Sequence, residues 1–191
     1  MTLDVTLGHE QAPTGIPSAI AANVAAQVPT LVSDALLLRA PTVEDFPLYT
    51  EILCNERAKY IGGPFNRDDA WNGFIQLAST WMLHGHGGWA IQDVDSEDLL
   101  GFVFLDLKPG NAQIDLGFLV SEENEGLGIA HEAAQMARAF AFETLDLAEL
   151  ASYIHKDNAR SIALAERLGA VRTVHDGDML AYIHTNDEAA Q

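Results

Sequence analysis

The chain has 191 residues, which is enough for one domain with a sizeable core and short for two. Its formal net charge of −18 argues against nucleic-acid binding, because phosphates would meet a repelling field. A single cysteine excludes an intramolecular disulfide, and no apolar run reaches the roughly 18 residues that a membrane-spanning helix needs.

The first 34 residues differ in composition from the rest of the chain. They contain Pro13, Pro17 and Pro29 and an alanine-rich stretch, 18–27, and residues 1–38 lack the Lys and Arg that begin a secretory signal. We expect a cytoplasmic protein whose residues 1–34 form an arm with one short helix. This helix lies either on its own domain or on a second subunit of a homodimer. The folded domain is expected at 35–186, with a tail at 187–191.

The domain begins with an apolar strand over 35–39, and a helix is predicted over 48–58. Cys54 falls in that helix and is expected in or near the core, where free cysteines usually pack. A second helix begins after Asn66 or Asp68 and ends at Gly85. Apolar residues at helical spacing predict its buried face, namely Trp71, Phe74, Ile75, Ala78, Trp81 and Met82.

Alternating segments predict three antiparallel strands at 88–93, 99–107 and 112–120. A helix over 129–141 leads to a strand at 149–154, which must run parallel to the strand before the helix. A helix at 159–168 and a hairpin of 171–174 with 179–184, turning at Asp176 and Gly177, complete the chain. This order predicts an α/β (α+β) fold.

The junction of the third strand with the following helix contains Gly126 and Gly128. Glycines let the backbone approach a ligand closely, and the start of a helix leaves N–H groups unpaired at the positive end of its dipole. Anions are favoured there, so the junction predicts a phosphate or pyrophosphate site.

Three segments in order, 114–120, 125–133 and 157–169, make the sequence resemble the GNAT superfamily of acyl-CoA N-acyltransferases over 35–186. It looks most like the branch that acetylates the N-terminal amines of ribosomal proteins. The resemblance implies a mixed central sheet, largely antiparallel with a parallel splayed pair, flanked by helices. It also implies acetyl-CoA as cosubstrate.

The resemblance places the cofactor on three groups of residues. The pyrophosphate maps to the junction, and the pantetheine arm maps to the end of the preceding strand. Two further residues face the cofactor from the start of the helix predicted at 159–168. Those residues are Glu125, Gly126, Leu127, Gly128, Ile129 and Ala130, then Phe118, Leu119 and Val120, and finally Asn158 and Ser161. The alternative for Asn158 is a plain helix N-cap, and both roles are compatible.

The sequence departs from the family pattern at two places. Glu125 stands where Arg or Gln is usual, so the phosphate turn carries a carboxylate and no cation. Ala165 stands where many relatives have a tyrosine that protonates the departing thiolate. Ser161 and Tyr182 are the candidates to replace that acid.

The resemblance implies transfer of an acetyl group to a primary amine by direct attack in a ternary complex. The acceptor is a protein or peptide N-terminus or a small-molecule amine, and the acidic balance of the chain favours a cationic one. Asp115 is expected to act as base or to orient the amine, the alternative being an outward-facing carboxylate on a strand. A backbone N–H at Leu119 or nearby would polarise the thioester carbonyl.

Other readings remain open at this point. A non-catalytic acyl-CoA-binding module on the same fold would also fit Glu125 and the missing tyrosine. No metal is expected, because His84 and His86 lack a third ligand at suitable spacing. The acceptor cleft is expected between segments 60–67 and 84–88.

Overall fold

The computed structural model describes residues 7–173 and 177–186. Its helices are α1 (Ile16–Ala25), α2 (Phe46–Leu53), α3 (Arg67–His84), α4 (Ile129–Ala139) and α5 (Ala159–Arg167). Its strands are β1 (Leu31–Val32), β2 (Leu36–Arg39), β3 (Gly88–Asp93), β4 (Leu99–Asp106), β5 (Asp115–Val120), β6 (Glu149–His155), β7 (Val171–Thr173) and β8 (Met179–Thr185).

The strands form one sheet in the order β1-β2-β3-β4-β5-β6-β8-β7. Neighbouring strands are antiparallel except β5 and β6, which are parallel and share a single ladder position, Asp115 with Ala151. The mixed, largely antiparallel sheet with a splayed parallel pair is therefore confirmed.

Helices cover both faces of the sheet. On one face α4 packs against β4 and β5, where Ala133 and Ala137 are fully buried beside Leu105 and Leu116. Small side chains on this helix let its backbone lie close to the sheet. On the other face α2 and α3 enclose an aromatic cluster of Phe46, Tyr49, Phe74 and Phe102. The end of β5 lies between these two layers.

The buried face of α3 is narrower than its apolar pattern predicts. Ala70, Phe74 and Leu77 face the core, whereas Ile75 and Met82 are exposed. The stripe 71–82 is wider than the line along which α3 meets α2 and β3, so its outer edge stays in solvent.

The predicted helix over 48–58 ends early. The α2 helix stops at Leu53, and Asn55 caps a separate 3-10 segment, Glu56–Ile61, by accepting a hydrogen bond from the Arg57 N–H. Asn side chains compete with the helical backbone in this way. Cys54 lies at the resulting break and is exposed, so its predicted place in or near the core is wrong.

The N-terminal segment is attached to the domain near residue 10 and again at 29–33. The buried carboxylate of Glu10 accepts hydrogen bonds from Arg67 at 2.6 and 2.8 Å, and β1 pairs with β2. Between them α1 has no buried residue. The sheet thus begins before residue 35. The strands β7 and β8 pair antiparallel, while the turn at Asp176 and the tail at 187–191 lie outside the described residues.

Candidate active site

Ser152 holds β5 and β6 together at the point where they separate. Its Oγ donates a hydrogen bond to the Leu116 carbonyl at 2.8 Å and lies 3.0 Å from His184 Nε2. Since the single hydroxyl proton goes to the carbonyl, His184 must donate from Nε2. Burial lowers the pKa of His184 to about 4, so the imidazole is neutral and suits that role.

Beyond this point the main chain of β5 faces an open gap. Strand geometry alternates, so Phe118 and Val120 direct their backbone groups the same way as Leu116, toward β6. Leu119 is turned toward β4, where it pairs with Phe102. The predicted Leu119 N–H is therefore occupied in the ladder, and the N–H that reaches the gap is that of Phe118.

The gap continues into a cleft of about 730 Å³. Of the residues expected to face the cofactor, Phe118, Leu119, Asn158 and Ser161 line it, whereas Val120 and the turn 125–130 do not. The lining also contains parts of both expected lips together with aromatic and acidic residues, namely Tyr49, Tyr60, Phe65, Asp69, Gly87, Phe104 and Asp106.

Asp115 lies on the floor of this cleft, at the point of the splay. It is only 7% exposed, its Oδ1 accepts a hydrogen bond from the Tyr153 N–H at 3.2 Å, and its Oδ2 is 4.0 Å from Lys108 Nζ. Burial raises the pKa of Asp115 to about 6, against the opposing effect of Lys108. The alternative of an outward-facing strand carboxylate is wrong.

The predicted phosphate turn has the backbone geometry of an anion cradle. Gly126 and Gly128 adopt φ angles of 78° and 90°, a region that other residues enter at a cost. No side chain caps α4, and the first helical hydrogen bond runs from Glu132 N to Gly128 O. The N–H groups of residues 126–131 have no acceptor within the described ranges. The turn therefore fits a phosphate group.

The carboxylate of this turn is paired with cations that the sequence did not indicate. Arg57 and Arg160 both form ion pairs with Glu125, across 68 and 35 residues of chain. The prediction that this turn has no cation holds for the residues of the turn itself. It is wrong for the folded protein, in which two arginines from other segments lie beside the turn.

The two hydroxyl candidates for a proton donor occupy different places. Ser161 lines the cleft, and its N–H donates to the Oδ1 of Asn158 at 3.3 Å, so Asn158 caps α5 and also faces the cleft. Tyr182 is buried away from the cleft, and its hydroxyl lies 3.3 Å from Glu166 Oε1. Burial, and then this carboxylate, raise the pKa of Tyr182. The structure does not bring Tyr182 to the site.

Some residues of the site were missed by sequence reasoning. Ser152 was detectable, since it is a polar residue inside the apolar run 150–154, whereas Lys108 gave no signal. His86 falls in the expected lip 84–88, and its Nδ1 contacts the Leu105 carbonyl at 2.8 Å. Within residues 7–173 and 177–186 no His, Cys, Asp and Glu cluster is arranged to hold a metal ion. In the same ranges no helix has the length and apolarity to cross a membrane.

Comparison with solved structures finds the same architecture in several acetyltransferases. The acetyltransferase from Agrobacterium tumefaciens str. C58 is 33% identical, covers 84% of this chain and 96% of its own, and superposes with a TM-score of 0.80. The spermidine N-acetyltransferase from Vibrio cholerae, in complex with CoA and spermine, is 17% identical, with 83% and 100% covered and a TM-score of 0.68. The ribosomal alpha-N-protein acetyltransferase RimL is 17% identical, with 83% and 95% covered and a TM-score of 0.67.

The sequence itself matches the family model described as an acetyltransferase (GNAT) domain over residues 35–171. The matched range contains the splayed strands, the buried carboxylate and the phosphate turn. The chain therefore belongs to the GNAT family of acetyltransferases.

Proposed function

We propose that this protein is an acetyl-CoA-dependent N-acetyltransferase that acts on a primary amine by direct attack. The observation that carries the proposal is the gap between β5 and β6, which the open edge of β5 and the buried carboxylate of Asp115 both adjoin. The anion cradle at 126–131 follows the end of β5 along the chain.

The cofactor side binds mainly through the backbone. Acetyl-CoA would supply the activated acetyl group. The N–H groups of 126–131 would hold its pyrophosphate, and the edge groups of Phe118 and Val120 would pair with its pantetheine arm. The Phe118 N–H would polarise the thioester carbonyl, where negative charge develops during attack.

Asp115 is the proposed base. An α-amine with a pKa near 8 is largely protonated at neutral pH, so it must lose a proton before or during attack. A carboxylate with a pKa of about 6 takes up that proton more readily than an ordinary aspartate does. Ser161, the hydroxyl on the cofactor side, is the proposed proton donor to the departing thiolate.

The acceptor side favours a cationic amine. Among the described residues, the cleft lining holds four aspartates against two lysines, Lys59 and Lys108, and it includes the aromatic rings of Tyr49 and Phe104, which suit a partly apolar cation. Relatives of the same fold include enzymes named for spermidine and for a ribosomal protein N-terminus. Both a small-molecule amine and a peptide N-terminus are therefore proposed acceptors.

A second candidate is an acyl-CoA-binding module without activity. The observation that favours it is Ala165, which is buried where many relatives carry the tyrosine acid, together with the absence of Tyr182 from the cleft lining.

A thiol-release assay with acetyl-CoA separates the two candidates. The panel contains a peptide with a free N-terminus, the same peptide with its N-terminus blocked, and spermidine. We expect thiol release with a free amine and its loss in Asp115→Asn. Binding of acetyl-CoA by calorimetry without release across the panel would favour the module, and absence of binding would reject both.

A further inference from the structure

We propose that Arg57 and Arg160 are phosphate-binding residues of the cofactor site, kept in place by Glu125 until the cofactor arrives. This inference rests on the proposed function, since it concerns the same site. It assigns a role to two side chains that come from outside the phosphate turn.

Each guanidinium occupies one oxygen of the same carboxylate. Arg57 Nη2 contacts Glu125 Oε1 and lies 3.4 Å from the Val120 carbonyl, and Arg160 Nη1 contacts Glu125 Oε2. Val120 ends β5 and Glu125 directly precedes Gly126. Both cations therefore lie beside the turn whose N–H groups are free.

The charges at this point do not cancel. Two guanidiniums face one carboxylate, so the group keeps a surplus positive charge in a chain whose formal net charge is −18. One arginine would be enough to neutralise Glu125. The second is accounted for if the group serves to attract a further anion.

A phosphate can take over the bonds that Glu125 now accepts. Carboxylate and phosphate oxygens accept the same charge-assisted hydrogen bonds from a guanidinium, and its fork allows two bonds at once. The side chain of Arg160 is 82% exposed and that of Arg57 26% exposed, so Arg160 fits an outer phosphate and Arg57 an inner one. The carboxylate thus holds both arginines in a conformation close to the one that binds phosphate.

Calorimetric titration of the full chain with CoA tests the proposal without any need for activity. We expect Arg57→Ala and Arg160→Ala to weaken CoA binding by about fivefold to twentyfold, the range for one charge-assisted contact at a partly exposed site. The matched control is Arg172→Ala on β7, an exposed arginine that takes no part in the ion pairs of Glu125. It makes the same change in net charge and should leave CoA affinity within twofold. Arg57→Lys, with thermal unfolding of every variant, guards against a loss of fold.

The Glu125→Ala background distinguishes phosphate binding from mere neutralisation of Glu125. If the arginine meets phosphate, Glu125→Ala/Arg160→Ala still binds CoA about fivefold or more weaker than Glu125→Ala alone. Equal affinity of those two variants would overturn the proposal, as would an Arg160→Ala loss no larger than that of Arg172→Ala.

Two further readouts complete the design. With 3′-dephospho-CoA, a smaller Arg160→Ala loss assigns this residue to the 3′-phosphate, and an unchanged loss assigns it to the pyrophosphate. Both outcomes support phosphate binding. Failure of the unaltered protein to bind CoA would instead reject the proposed function, which keeps the two failures distinct.

Discussion

The two sides of the cleft are built from different chemical groups. On the side proposed for the cofactor, the open edge of β5 presents backbone N–H and carbonyl groups, and the turn at 126–131 that follows it presents unpaired N–H groups. The side proposed for the acceptor consists of side chains such as Asp106, Phe104 and Tyr49, brought together from β4 and α2. A site made of backbone depends on where glycines and helix starts fall, whereas a site made of side chains depends on which residues the fold brings together.

Substitution of Asp115 tests the contribution of side chains to the site, and it should have the largest effect. Asp115→Asn keeps the shape and can still accept the Tyr153 N–H, but it cannot take a proton. We expect kcat to fall by about 100-fold to 1,000-fold, the usual range for a general base, with CoA affinity unchanged. In the unaltered protein kcat/KM should rise with pH through an apparent pKa near 6. An unchanged pH profile in the variant would show that Asp115 is not the base.

A charge placed in the turn tests the backbone half. Gly126→Asp introduces a carboxylate among the free N–H groups at a φ of 78°, and we expect CoA binding to weaken by about 100-fold. The control is Gly85→Asp at the end of α3, which has a φ of 72° and an equally open surrounding. Calorimetry should find CoA affinity nearly normal in the control. Equal losses in both variants would indicate a general effect of strain.

The buried carboxylate of Asp115, proposed as the base, is expected to lower the stability of the protein. Folding raises the pKa of Asp115 from 3.8 to about 6, so its contribution to stability is present below pH 3.8 and is lost as pH rises through 6. Asp115→Asn removes this loss and should raise the free energy of unfolding by about 2–3 kcal/mol at pH 8. Urea unfolding should find the gain shrinking toward pH 4. A gain that is constant with pH would contradict this account.

Substitution of Ser152, where β5 and β6 meet, should have a smaller effect on stability. Ser152→Ala removes the hydroxyl between Leu116 and His184, and we expect a loss of about 1–2 kcal/mol in the free energy of unfolding. CoA affinity should fall a few-fold, since the gap is no longer held open at a fixed width. Ser79→Ala, whose hydroxyl contacts only its own helix at 3.4 Å, is the control. If Ser152→Ala binds CoA with the same affinity as the unaltered protein, Ser152 contributes to stability and not to cofactor binding.

The smallest predicted effect concerns the cap of α5. Asn158→Ala should lower the free energy of unfolding by about 1 kcal/mol, the usual value of an N-cap. Asn158→Ser restores a cap without the amide. If CoA affinity recovers together with stability, the residue acts only as a cap, and if stability alone recovers, the amide also contacts the cofactor.

Sequence reasoning reached the backbone half because its signals are local. Gly126 and Gly128 follow a strand and precede a helix, and Asn158 precedes another helix, so each lies within a few residues of what it determines. Ion pairs carry no such local signal. Arg57 and Glu125 are 68 residues apart, and they meet because the 3-10 segment Glu56–Ile61 lies beside the end of β5.

Packing also explains the sequence predictions that were wrong. The apolar pattern of α3 did not reveal that its neighbours cover only the line through Phe74, which leaves Ile75 and Met82 in solvent. The position of Tyr182 depended on strand register. Its side chain packs in the buried cluster around Ala165 and does not line the cleft.

The single ladder rung between β5 and β6 has a consequence for how the molecule unfolds. Main-chain pairing at this rung, which includes the bond from the Ala151 N–H to the Ile114 carbonyl, joins the sheet of β1–β5 to that of β6–β8. The side chains of Ser152 and Asp115 add hydrogen bonds beside it. A cofactor seated in this seam bridges both half-sheets. Cofactor binding should therefore couple their melting, so that the ligand-free protein denatures over a broader temperature range than the complex.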